Sequence, residues 1–175
     1  MHSMIGARQK TNRDGEGIMF RSLAIAMTVV ALGTGCAHKM IQGTQVPATD
    51  DNLAVMAVLV ELQEAMRAKS TDRILSLVST AYFEDNGTPD PRDDYGFEQL
   101  KTEILPKSLD VAEEIFVSFQ VHDITVDDET AQADIRYNSR ARLNLPTGTL
   151  WDTHREFNRV IFALEDGAWH IVSGL

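Results

Sequence analysis

Asp166-Gly167 stands between two stretches that alternate apolar and polar residues, Leu150 to Glu165 and Ala168 to Val172. It is the residue pair that a two-residue β-hairpin loop favours. A loop of that length fixes the register. Leu164 then lies opposite Trp169 and Phe162 opposite Ile171, and residues opposite each other share a face. Val160, Phe162, Leu164, Trp169 and Ile171 therefore form one apolar face, which has to be buried. Traced back along the same strand, that face continues as Asn158, Glu156, His154 and Asp152. A turn at Pro146-Thr147-Gly148 sets these against Tyr137, Ser139, Ala141 and Leu143. A sheet face that is apolar at one end and carries His, Glu, Asn and Tyr at the other predicts a lined cavity.

Two further strands precede this hairpin. Ile115, Val117, Phe119 and Val121 alternate with polar partners, and Ile124 and Val126 resume on the opposite parity, which predicts a bulge near His122-Asp123. After a turn at Asp127 to Thr130, Ala131, Ala133, Ile135, Tyr137, Ser139 and Ala141 mark one face of the next strand. Upstream the period is helical. Val55, Leu59, Leu62 and Met66 line one side of a helix over residues 51–69, with Asp50 or Asp51 as its cap. A shorter helix runs from Thr71 to about Val78. A third spans about Gly96 to Leu105, capped by Asp93 or Asp94 and ended by Pro106. The fold class is α+β, with three N-terminal helices packed on an antiparallel four-stranded meander.

The only cysteine, Cys36, follows a short apolar run, Leu23 to Leu32, and Gly33-Thr34-Gly35. About ten apolar residues are too few to cross a bilayer of roughly 30 Å, but they match the apolar region of a signal peptide. Leu32-Gly33-Thr34-Gly35-Cys36 resembles the lipobox of bacterial lipoproteins, with Gly33 in place of the usual apolar residue. That resemblance implies cleavage before Cys36 and a lipid on its thiol, which places the protein in the cell envelope, anchored to a bacterial membrane and facing the periplasm or the exterior. Arg21 would be the charged flank and Met19 a natural start, with residues 1–18 an upstream extension. The resulting division is a signal peptide over residues 1–35, a lipidated tether over 36–50 and one domain over 51–175. Removing 1–35 takes away four basic and two acidic residues, so a net charge of −10 becomes about −12. Such a body repels nucleic acid.

The order of elements, the stretch Ala65-Met66-Arg67-Ala68-Lys69-Ser70-Thr71-Asp72-Arg73-Ile74 and the closing Asp166-Gly167-Ala168-Trp169-His170-Ile171 resemble the nuclear transport factor 2-like (NTF2-like) superfamily, also called SnoaL-like. The resemblance covers residues 51–175. It implies a cone in which the sheet wraps around the long first helix and leaves a pocket at the wide end. Tyr82 matches the tyrosine often found near the end of the second helix in that superfamily, and with Asn158, Phe162 and Trp169 it is expected at the pocket. The superfamily includes isomerases, dehydratases, cyclases and binding adaptors, so two functions stay open. One is non-catalytic binding of a small apolar ligand, or interaction with another protein. The other is proton transfer by His154 with Glu156 or Tyr137, where a histidine or carboxylate is the base and a buried hydroxyl stabilises an enolate. No aspartate matches a base of the family.

The acidic loop from Glu84 to Asp94 holds five carboxylates, but its spacing is not that of an EF-hand, and its prolines and glycine suit a rigid turn. No metal and no cofactor are expected. Arg136, Arg140, Arg142, Arg155 and Arg159 fall beside Trp151, Phe157 and Ile161 on the outer face, a mixture found at interfaces. The resemblance adds homodimerisation through the sheet.

Overall fold

The computed structural model describes residues 39–175. Cys36 and the whole of 1–35, with the cleavage and lipidation read from them, lie outside the described residues. Among the described residues no helix is long and apolar enough to cross a membrane.

Helix α1 (Asp50–Arg67) buries Val55, Leu59, Leu62 and Ala65 along one side, as its spacing predicts. Its cap is Thr49 rather than an aspartate: the Thr49 hydroxyl accepts from the Asn52 N–H at 3.2 Å. Asp50 and Asp51 instead occupy the first turn, where the helix dipole favours negative charge. Helix α2 (Thr71–Ser76) is capped by Ser70. Of the segment expected to be a tether, residues 39–49 pack against the domain. Ile41 N–H bonds to Val46 O at 2.8 Å, and the Val46 side chain is fully buried in the core.

A short pair of strands, β1 (Phe83–Glu84) and β2 (Tyr95–Gly96), closes the acidic loop. Because Tyr95 and Gly96 are held in that pair, the third helical segment starts after Gly96, and neither Asp93 nor Asp94 caps it. Pro106 does not end this segment. Helix α3 (Phe97–Gln99) passes through a π-helical turn (Leu100–Ile104) into α4 (Leu105–Asp110), with Pro106 in the first turn of α4 and Leu105 in helical geometry. The widened turn routes the Leu105 N–H to the Leu100 carbonyl, five residues back. A proline whose missing N–H and ring would break a regular α-helix is thereby accommodated. Burial of Leu100, Leu105 and Leu109 holds the segment down.

The large sheet is the expected meander of β3 (Ala112–Asp127), β4 (Thr130–Leu145), β5 (Gly148–Glu165) and β6 (Ala168–Ser173), in that order. Leu164 faces Trp169 and Phe162 faces Ile171, with Asp166 and Gly167 both at positive φ in the loop. The predicted bulge in β3 falls between Val121 and Asp123. Pairing of β4 with β5 is unbroken from Thr130–Ala163 to Leu145–Gly148, so the face assignments hold along the whole ribbon. Helix α1 lies on the apolar face, and with the residues just after it seals the free edge of β3. Gln63 Oε1 accepts from Phe119 N–H, Arg67 Nε donates to Val117 O, and Lys69 Nζ donates to Ala112 O, at 2.7 to 2.8 Å. Unpaired strand edges invite association, and these three side chains occupy this one.

Candidate functional site: a hollow where β5 leaves β6

A further irregularity, in β6, shapes the site. Ile161 pairs with Ser173 while Phe162 pairs with Ile171, so Val172 is the extra residue. The bulge turns Gly174 and Leu175 across the inner face. Gly174 has φ +92, and a Cβ there would sit 2.1 Å from the Arg159 carbonyl oxygen, so the two backbones meet at a distance that excludes any side chain.

Four contacts hold this segment. Glu84 Oε2 accepts from the Gly174 N–H at 2.6 Å, and the Tyr82 hydroxyl accepts from the Leu175 N–H at 3.2 Å. Tyr95 OH donates to Leu175 O at 3.2 Å, and Asn158 Nδ2 donates to Gly174 O at 3.1 Å. Tyr82 also donates to Glu84 Oε2 at 3.1 Å. Burial, with the neighbouring Tyr95 and Glu84 adding to it, pushes the Tyr82 hydroxyl far above its ordinary pKa, so it stays protonated and can donate.

Behind Gly174 and Leu175 lies a cavity of about 150 Å³. Leu62 and Met66 of α1, Phe119 of β3 and Ile135 of β4 form its apolar walls, and Val160 and Leu175 add to them. Tyr137, Glu156 and Asn158 provide its polar side. Tyr137 and Glu156 are direct partners across β4 and β5. The Tyr137 ring packs on Phe119, with centroids 5.8 Å apart, and burial raises its hydroxyl pKa, with the Glu156 charge adding to the effect.

Of the residues singled out from sequence, Tyr137, Glu156 and Asn158 line this cavity and His154 does not. His154 lies two residues further along β5, its side chain 63% exposed and bonded to Asp152 at 2.8 Å, beside a separate groove with Arg67 and Arg155. Tyr82 holds Leu175 from behind rather than facing the cavity. Phe162 and Trp169 belong to the packed core. The sequence reading missed Leu62, Met66, Phe119, Ile135, Val160, Gly174, Leu175 and Glu84 as parts of the site. The first five carry the helix and strand periodicity that marks core, whereas no local pattern marks the last three as neighbours. In the acidic loop, Thr88 and Arg92 bond to Asp93 and Asp90. No group of three or more His, Cys, Asp or Glu converges on a metal-sized site among the described residues.

This architecture matches solved structures. The fold is the NTF2-like cone fold. A conserved protein from Planctomyces limnophilus superposes with a TM-score of 0.60 at 19% identity, over 71% of this chain and 92% of that one. A proposed dehydratase of the NTF2-like family from Streptomyces avermitilis gives 0.56 at 18% identity, over 71% and 93%. A proposed ketosteroid isomerase from Shewanella frigidimarina gives 0.54 at 10% identity, over 69% and 92%. No protein-family model matches the sequence, and no curated protein matches it. At these identities the likeness establishes the fold alone.

Proposed function

We propose that the domain is a small-ligand-binding module of a bacterial envelope lipoprotein. The cavity carries this reading. Its volume of about 150 Å³ suits a benzene-sized group, and apolar walls with a few polar atoms at one side are what orients such a ligand. Native mass spectrometry of the protein purified from its own membrane tests this directly: a retained small molecule supports it. The anchoring half of the proposal rests on the Leu32 to Cys36 stretch. Cys36→Ser should release a folded protein from the membrane fraction, and persistent membrane association of that variant would contradict the anchor.

One observation favours a second, catalytic reading. Glu156 and Tyr137 face each other in the cavity, a carboxylate able to take a proton beside a phenol able to donate a hydrogen bond to a developing enolate. Hydrogen–deuterium exchange into an enolisable aryl ketone, accelerated by the wild type and not by Glu156→Gln, would establish it. His154, outside the cavity, should be dispensable. We also propose that the outer face pairs two copies of the chain. Phe116, Trp151 and Phe157 are exposed there, and Arg136 and Arg140 stack on Phe157 and Trp151 at 4.6 and 4.0 Å. Sedimentation as a monomer at high concentration would exclude the dimer.

A further inference from the structure

The cavity adjoins an outer cleft of about 400 Å³, and the two share Glu156, Asn158, Gly174 and Leu175. Those four residues form the boundary between an apolar interior and a polar exterior. Charge on the two sides of that boundary has one sign. Among the described residues Glu156 has the only charged side chain lining the inner cavity, and Glu84 joins it in the outer cleft. Among the described residues neither space is lined by a lysine, arginine or histidine. The chain as a whole carries the same sign, with a net charge of −10.

The two carboxylates are in different states. Glu84 is fixed, since it accepts from Tyr82, Gly174 and the Asn86 N–H. Glu156 makes no hydrogen bond or ion pair with any described residue and is exposed at the rim. A carboxylate left without a partner beside an apolar hollow attracts a cation and repels an anion. Among the described residues no third His, Cys, Asp or Glu joins the two carboxylates to hold a bare metal ion. An ion that brings its own apolar surface satisfies both walls.

We propose that this hollow binds an organic ammonium ion: a primary amine whose benzene-sized apolar group fills the inner cavity and whose charged nitrogen sits at the rim against Glu156, with Glu84 adding a second negative charge. This rests on the ligand-binding reading and narrows its ligand class.

Isothermal titration of the full chain with 2-phenylethylamine, 2-phenylethanol and 3-phenylpropanoate separates the two. The amine should bind at least tenfold more tightly than the alcohol, and the carboxylate weakest of all. Glu156→Gln, at an exposed position where folding is little affected, should cost the amine at least fivefold and leave the alcohol unchanged, while His154→Ala changes neither. Equal binding of amine and alcohol, or an amine affinity indifferent to Glu156→Gln, would overturn the ammonium preference and leave the cavity reading standing. Absence of binding by all three compounds would overturn both.

Discussion

Strand β5 passes through two environments. From Ile161 onward it lies beside β6, whereas from Gly148 to Val160 it is paired with β4 alone. The inward residues of the first stretch are core: Phe162 is fully buried, and Val160, at the junction, is 1% exposed. The inward residues of the second are Asn158, Glu156, His154 and Asp152, and its outward Phe157 is 71% exposed. The same alternation thus builds a packed core at one end and an open polar surface at the other. The hollow forms at the junction, where Gly174 and Leu175 cross.

That contrast can be broken most severely at Phe162. Phe162→Ala should destabilise the domain by about 3–5 kcal/mol in urea unfolding, because it removes a ring with no room for neighbours to relax fully. Phe157→Ala, five residues away on the exposed stretch, should cost less than about 0.5 kcal/mol in the dilute, monomeric chain. A comparable loss from both in the monomer would mean that the outer half of β5 is buried within the chain itself. At the junction, Gly174→Ala should cost about 1–3 kcal/mol, since it combines an unfavourable φ with a collision against the Arg159 carbonyl. It should also weaken whatever the cavity binds, because Leu175 is displaced with it.

A smaller test uses the outer face. Asp134 accepts from Arg159 Nε at 2.7 Å, and that hydrogen bond, with the Arg159 charge, holds the carboxyl below the ordinary aspartate value of about 3.9. A depressed folded pKa contributes stability that is present above the unfolded value and lost as pH falls through the folded one. Asp134→Asn should therefore lower stability slightly at neutral pH and converge with the wild type below about pH 4, so that its acid decline is flatter. The effect is small because both side chains are largely exposed. An acid limb identical to wild type would show that the pair contributes nothing.

Much of this was legible in the residues themselves. Asp166-Gly167 and the period-two runs specify the hairpin register, and the parity change at His122-Asp123 marks the β3 bulge, because side-chain alternation reports directly on faces. Tyr137, Glu156 and Asn158 followed from that register. His154 shares their parity but lies one step further out, where its side chain is mostly exposed. What alternation cannot report is where a chain runs without side-chain period. Glu84 meets Gly174, and Tyr82 meets Leu175, through backbone N–H groups about ninety residues away in sequence. Pro106 misled for a related reason: its penalty is local, while the burial of Leu105 and Leu109 that overrides it is tertiary.

The most direct test of the account is a methyl NMR titration of the full chain with 2-phenylethylamine. Shifts should concentrate at Leu62, Ile135, Val160 and Leu175, which line the cavity, and leave Leu53 and Leu150 in place. Shifts at Leu150 without any at those four, or none anywhere at saturating ligand, would show that the hollow between β5 and Leu175 is not where this protein binds.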